Sequence, residues 1–149
     1  MANKQVVVVK NDSTITSTAD LKDKKVITQK DSSGLAAINE NEALKNSFAS
    51  LIESDSYLNA MMELESGAVD AIVMDSVVAE YEITVGKLDL TVLPESLAKE
   101  GYGIGFRKGS EGAALRDKVW ATLEEMAKDG TVAKITTEWF GSDISVISK

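Results

Sequence analysis

Four consecutive β-branched residues, Val6–Val9, open the chain with no polar residue between them. This is the pattern of a strand covered on both faces. A polar stretch follows over Asn11–Thr18, and Ser17 or Thr18 is placed to cap a single turn carrying Leu21. Lys22–Lys25 then leads into a second strand at Val26–Thr28. The polar run Asp31-Ser32-Ser33-Gly34 opens a helix whose first apolar residues are Leu35, Ala37 and Ile38; it continues helically over Asn41–Phe48. Ser50-Leu51-Ile52 reads as a short strand. Asp55-Ser56 signals the start of a helix at Tyr57–Ser66, with an apolar face of Leu58, Met61, Met62 and Leu64 and a left-handed end at Gly67.

Ala71–Met74 is the next buried strand, Ser76–Val85 a helix and Leu88–Leu93 a strand that Pro94 ends in a loop. Tyr102, Ile104 and Phe106 alternate with Gly101, Gly103 and Gly105, which on a strand puts the three glycines on one face. Ser110 is placed to cap a long helix with a stripe of Leu115, Val119, Leu123 and Met126. Gly130 ends that helix and Thr131 caps the next, whose apolar face is Val132, Ile135, Trp139 and Phe140. Strands alternating with helices over short connections predict an α/β sheet.

The net charge of −8 and the presence of only two arginines, Arg107 and Arg116, argue against a nucleic-acid partner, which needs clustered cations. With no Cys and no His, thiol and imidazole nucleophiles and zinc ligation by sulfur or imidazole are excluded. No calcium loop of alternating acids is present, so neither a metal nor a cofactor is expected. No apolar run reaches membrane-spanning length, and the short polar start before Val6 does not read as a secretion signal.

Three segments carry candidate chemistry. Thr28–Gly34 joins a strand to a helix N-terminus, where free N–H groups and the helix dipole can hold an anion and Ser32 and Ser33 can add donors; alternatively, one serine only caps its own helix. Asp75 ends a buried strand, at the edge where open α/β sheets take ligands. Its carboxylate can hold an ammonium group or cap the helix that starts near Ser76. Asp70 falls at the other end and on the opposite face of that strand, so the two are not a catalytic pair. The segment Gly101–Gly109 lacks the spacing of either nucleotide loop. Trp120, Trp139 and Phe140 sit at helical spacing, which points to packing rather than ligand stacking.

The valine-rich strand, STADLKDKKV (Ser17–Val26), TQKDSSG (Thr28–Gly34), Gly67–Asp75 and the terminal YGIGFRKG, DGT and EWFG occur in one order. Together they resemble the amino-acid-binding members of the bacterial extracellular solute-binding proteins, the receptors of ABC uptake transporters. The resemblance implies a periplasmic-binding-protein type II lobe, an open mixed sheet flanked by helices, with the first lobe missing. Residues 4–109 are then the second lobe with its crossover strands. Residues 110–149 are the C-terminal helices that in relatives pack on the first lobe. It further implies that Ser32 and Ser33 hold a ligand α-carboxylate, Asp75 the α-amino group, and that Gln29 faces the ligand side chain. The family more often has a small residue where Asp31 stands. The arginine clamp and aromatic sandwich of the first lobe have no counterpart here.

The expected function is therefore a non-enzymatic amino-acid-binding lobe, weak or inactive alone, of an extracellular or periplasmic receptor. Its partners would be a polar amino acid and a membrane permease, with self-association through the C-terminal helices. The same fold also serves as the ligand-sensing input domain of membrane receptors, and an inert truncated fragment is the other alternative. Some relatives are lyases or transglycosylases, but no His, Cys or paired carboxylate supports an enzyme here.

Overall fold

The structure, a computed structural model, describes residues 1–147; Ser148 and Lys149, the end of the expected C-terminal segment, lie outside the described residues. The chain forms two compact units: Lys4–Glu100, and Met1–Asn3 together with the segment from Gly101 on.

The sheet of the first unit is built from strands β1 (Ala2–Lys10), β2 (Lys25–Gln29), β3 (Ser50–Ser54), β4 (Ala71–Asp75) and β5 (Leu90–Gly101). Their order across the sheet is β3-β2-β4-β1-β5. β2 runs parallel to β3 and β4, whereas β1 runs antiparallel to β4 with Val7 opposite Val73 and Gln5 opposite Asp75. The sheet is mixed and open, as the resemblance implied.

Val6–Val9 is buried on both faces, no residue of the four being more than 3% exposed. Val6 and Val8 join Ile27, Ile72 and Met74 against Ala60, Met61 and Leu64 of helix α3 (Tyr57–Ser66). Val7 and Val9 join Val26, Ala71 and Val73 on the other face, against Ile38 of helix α1 (Ser33–Glu40) and Leu21. Each such side chain contributes roughly 1.5–3 kcal/mol, so the strand with two buried faces anchors both layers. Asp70 fixes the start of the parallel ladder: its carboxylate accepts from Lys25 N at 2.7 Å and its own N–H donates to Lys25 O at 2.9 Å.

The short turn at Thr18–Leu21 forms where expected. Asp20 Oδ2 accepts from the N–H and hydroxyl groups of both Thr16 and Ser17, and these bonds hold its pKa below the ordinary carboxylate value. At α3, Ser56 accepts from Asn59 N at 3.2 Å, and Gly67 ends the helix with φ 78°.

Several sequence expectations change. The helix over Asn41–Phe48 is only a short one, α2 (Glu42–Lys45), because Asn41 has φ −114° and ψ 76° and its side chain caps Leu44 N. An Asn that bonds to local backbone offers an alternative to continuing a helix. Leu58 and Met62 are 63% and 61% exposed, and Ala60 takes the core position that they were expected to share. Helix α4 (Ser76–Gly86) follows β4 directly. β5 continues through Pro94 rather than stopping before it. An edge strand tolerates a missing N–H that faces no partner, and β5 is an edge. The alternating glycine segment is not a strand: regular structure ends at Gly101.

The second unit contains α5 (Ser110–Lys128) and α6 (Thr131–Phe140). Met1 and Tyr102 exchange two backbone bonds of 3.1 and 2.8 Å, and Ala2 N donates to Ile144 O at 2.9 Å. Gly109, not Ser110, is the N-cap of α5, and Gly130 holds the cap position of α6, where Asp129 Oδ1 accepts from Thr131 N at 2.8 Å. A Cβ on Gly112 would stand 1.8 Å from the carbonyl oxygen of Arg107, so only glycine lets the preceding loop cross the first turn of α5.

Candidate functional site

The C-terminal ends of β2 and β4 lie side by side because the two strands are parallel neighbours. At that edge the face carrying Val7, Val26 and Val73 turns polar. Gln5, Thr28 and Asp75 continue the inward alternation of their strands on that face, next to the start of α1.

Ser32 is the N-cap of α1. Its hydroxyl donates to Gln29 O at 2.6 Å and accepts from Leu35 N at 3.1 Å. Both of its hydrogen-bonding roles are therefore used in holding the turn. Ser33 is the first helical residue and exposed. The N–H groups of Ser33 and Gly34 remain at the helix start as anion donors, reinforced by the dipole. Gly34 is buried, and a Cβ there would meet Thr28 Oγ1 at 2.8 Å, Val73 O at 3.1 Å and Gln5 Oε1 at 3.2 Å. The close approach of α1 to the sheet thus depends on glycine. Gln29 is half-buried, and its side chain donates to Asp55 O at 3.2 Å. Asp31, in the same turn, has φ 56°, a left-handed conformation that favours glycine.

Asp75 occupies the N-cap position of α4 but makes no side-chain cap bond. Instead its Oδ1 accepts from Gln5 Nε2 at 2.9 Å. The same amide nitrogen donates to Glu100 Oε1. Gln5 is 1% exposed, and its Oε1 is buried without a hydrogen-bond partner. Thr28 Oγ1 donates to Val73 O at 2.8 Å and lies 3.5 Å from Ser32 Oγ. Tyr57, at the start of α3, completes the cluster. Its Oη is buried and short of hydrogen-bond geometry with any group. Burial pushes the phenol up from its ordinary value; the Ser32 and Thr28 hydroxyls oppose this, and the charges of Asp75 and Glu100 add to it.

Ser32 and Asp75, remote in sequence, thus meet through Thr28 and Gln5, with helix-start amides on one side and carboxylates on the other. Such an arrangement presents donors to an anion and acceptors to a cation within one small region, which is the complement of a zwitterion. Sequence reasoning included Thr28 in the candidate turn without giving it a role and missed Gln5, Tyr57 and Glu100. The available signal was parity: Gln5 and Thr28 are the polar residues that interrupt otherwise apolar inward positions. A cavity of about 620 Å³ is elsewhere. It lies within the second unit and is walled by apolar residues such as Phe106, Val119, Leu123, Met126 and Ile135.

A family model described as "ABC transporter, phosphonate, periplasmic substrate-binding protein" matches residues 2–144. The L-cystine-binding protein TcyA of Bacillus subtilis is 30% identical over 144 residues, 96% of this chain and 51% of that protein. The arginine-binding extracellular protein ArtP of the same organism is 34% identical over 140 residues, 91% of this chain and 52% of that protein. The crystal structure of an ABC uptake transporter substrate-binding protein from Streptococcus pneumoniae with bound histidine superposes with a TM-score of 0.78. It is 31% identical, with 98% of this chain and 61% of that one covered. The chain spans about half the length of the curated relatives it matches. With this family model matching nearly its whole length and with its mixed α/β sheet, the chain belongs to the periplasmic substrate-binding proteins of ABC transporters.

Proposed function

We propose that this chain is a non-enzymatic, amino-acid-binding lobe of an ABC-transporter receptor working outside the cytoplasmic membrane. One observation supports it most: the carboxylate of Asp75, held by Gln5, stands in the same cluster as the α1 start at Ser32 and Ser33. Asp75 takes the ligand ammonium, and the Ser33 and Gly34 amides take its carboxylate. Ser32 shapes the turn, and Gln29 borders the ligand side chain. The relatives named for cystine, arginine and histidine support an amino acid as the ligand class. A phosphonate fits less well: it carries up to two negative charges, and the site holds the carboxylates of Asp75 and Glu100 around one amide. Among the described residues no helix is long and apolar enough to cross a membrane.

Over these 149 residues the contacts are those of one lobe, open to water and high dielectric. Amino-acid binding by this chain is therefore no tighter than roughly millimolar. Titration of the chain with the common amino acids and with methylphosphonate, followed by amide chemical shifts, tests the reading. Shifts at Ser33, Gly34 and Asp75 with amino acids and none with methylphosphonate support it. Methylphosphonate binding at those amides, with no response to amino acids, overturns it.

A further inference from the structure

Neither hydroxyl beside the start of α1 has a proton to offer an incoming anion. Ser32 donates to Gln29 O at 2.6 Å, and Thr28 donates to Val73 O at 2.8 Å. Leu35 N and Ala36 N are committed as well, to Ser32 Oγ and Ser32 O. The helix start therefore offers the Ser33 and Gly34 N–H groups, and two amides fill only part of the acceptor capacity of a carboxylate. Beside the same two hydroxyls lies a donor that is not committed. Tyr57 Oη is buried and makes no hydrogen bond, with Ser32 and Thr28 as its neutral polar neighbours. A buried hydroxyl left unpaired is unfavourable, and native folds leave few of them. The fold around Tyr57 thus holds a donor ready without giving it an acceptor.

We infer that the Tyr57 O–H is a third donor for the ligand carboxylate, alongside the Ser33 and Gly34 amides. The inference rests on the amino-acid reading above and adds to it a residue that sets how strongly the anionic end of the ligand is held. Tyr57 is the first residue of α3, whereas Ser33 and Gly34 open α1, so one ligand group ties together the turns that follow β2 and β3. The side chain is only partly buried against the α3 face of the sheet. Rotation about its own torsions carries Oη toward the α1 start and leaves the backbone in place. Burial holds the phenol above its ordinary pKa, so at neutral pH it is an uncharged donor. An O–H that meets a carboxylate gains a charge-assisted bond, whereas an ammonium or an apolar group offers it no acceptor.

The test titrates the 149-residue chain with L-arginine and with L-glutamine, in wild type and in Tyr57→Phe, and follows amide chemical shifts. Phenylalanine keeps the ring and removes only the hydroxyl. Because that hydroxyl has no partner in the fold, the urea midpoint of Tyr57→Phe should equal or exceed that of wild type. Affinity for both amino acids should weaken by about five- to tenfold. In wild type, the ring carbon that bears Oη should shift with the same dissociation constant as the Ser33 and Gly34 amides. Unchanged affinity in Tyr57→Phe, a lowered urea midpoint, or a Tyr57 ring carbon that ignores a ligand seen by the amides overturns the inference and leaves the amino-acid reading standing. Failure of both amino acids to shift the Ser33, Gly34 and Asp75 amides of wild type overturns that reading, and the inference with it.

Discussion

Gln5 and Asp75 face each other across the β1–β4 ladder, and the amide nitrogen of Gln5 donates to Asp75 Oδ1 at 2.9 Å. This pairing changes the role open to Asp75. The residue stands where a helix cap would, yet its side chain makes no cap bond to α4 and is instead steered by a residue from another strand. A carboxylate oriented from the sheet side keeps its position independent of the helix that follows it.

Asp75→Asn separates the two roles. Asparagine retains an Oδ1 acceptor for Gln5, and α4 loses no side-chain cap. The unfolding free energy should change by less than about 1 kcal/mol. Amino-acid-induced shifts at the site should disappear, because the charge proposed to hold the ammonium is gone. Urea denaturation and ligand titration of the same variant check both halves. A large stability loss with normal binding would show that Asp75 is a structural residue.

Asp31 sits in the proposed ligand turn with φ 56°. L-residues other than glycine pay roughly 1–2 kcal/mol for this conformation, Asp somewhat less because its side chain can bond locally. Asp31→Gly removes that strain and a negative charge beside the helix-start amides. The variant should gain about 0.5–1 kcal/mol, net of the entropy that glycine adds to the unfolded chain. It should also hold the carboxylate of an amino acid more tightly. Equilibrium unfolding reads the first effect; no gain, or a loss, would mean that the Asp31 side chain stabilises the turn.

How far the sequence could be read depended on whether a signal was local. Val6–Val9 and the Ser56–Gly67 helix with its caps were legible because run length, capping residue and terminal glycine all sit within a few positions. Pro94 was misleading because its effect depends on whether β5 is an edge, a property of sheet order. The Tyr102–Phe106 alternation has the period of a strand, but a strand also needs a partner, and Tyr102 is the last of these residues in backbone pairing with Met1. Within the site, Asp75 and the Ser32 turn were visible as strand and helix ends. Gln5 and Glu100 were not, since their meeting at Asp75 joins residues from three separate strands.

Glu80, in α4, should make stability depend on pH. Its Oε2 is buried without a hydrogen-bond partner, and burial raises its pKa, with Lys4 only partly opposing. A carboxyl whose folded pKa exceeds its unfolded value favours the fold when protonated and loses that advantage as pH rises through the folded pKa. At neutral pH the charged form is therefore a liability. Glu80→Gln should raise the denaturation midpoint at about pH 7 and give no gain near pH 4, where wild type is already largely neutral. A variant that is stabilised equally at both values, or destabilised at pH 7, would contradict this account.

Self-association is the last expectation, and it concerns the second unit alone. Trp120, Trp139 and Ile135 are 50%, 49% and 42% exposed, and Ile104 and Val146 are each 64% exposed. Among the described residues most of the exposed large hydrophobics fall in the last third of the chain, and Ile104, Trp120, Ile135 and Val146 line a cavity of about 620 Å³ with apolar walls. Contiguous apolar surface of this kind is uncommon on soluble monomers. Burying a large side chain contributes roughly 1.5–3 kcal/mol, so a few of them can offset the cost of association. We propose a second copy of this chain as the occupant, packed isologously so that each copy offers the same surface. The interface includes Trp139 and Phe140. Sedimentation velocity at micromolar concentration should show a dimer, and the combined Trp139→Ala and Phe140→Ala variant should shift it toward monomer. A wild-type monomer at those concentrations, or a variant that dimerises as well as wild type, would refute the proposal.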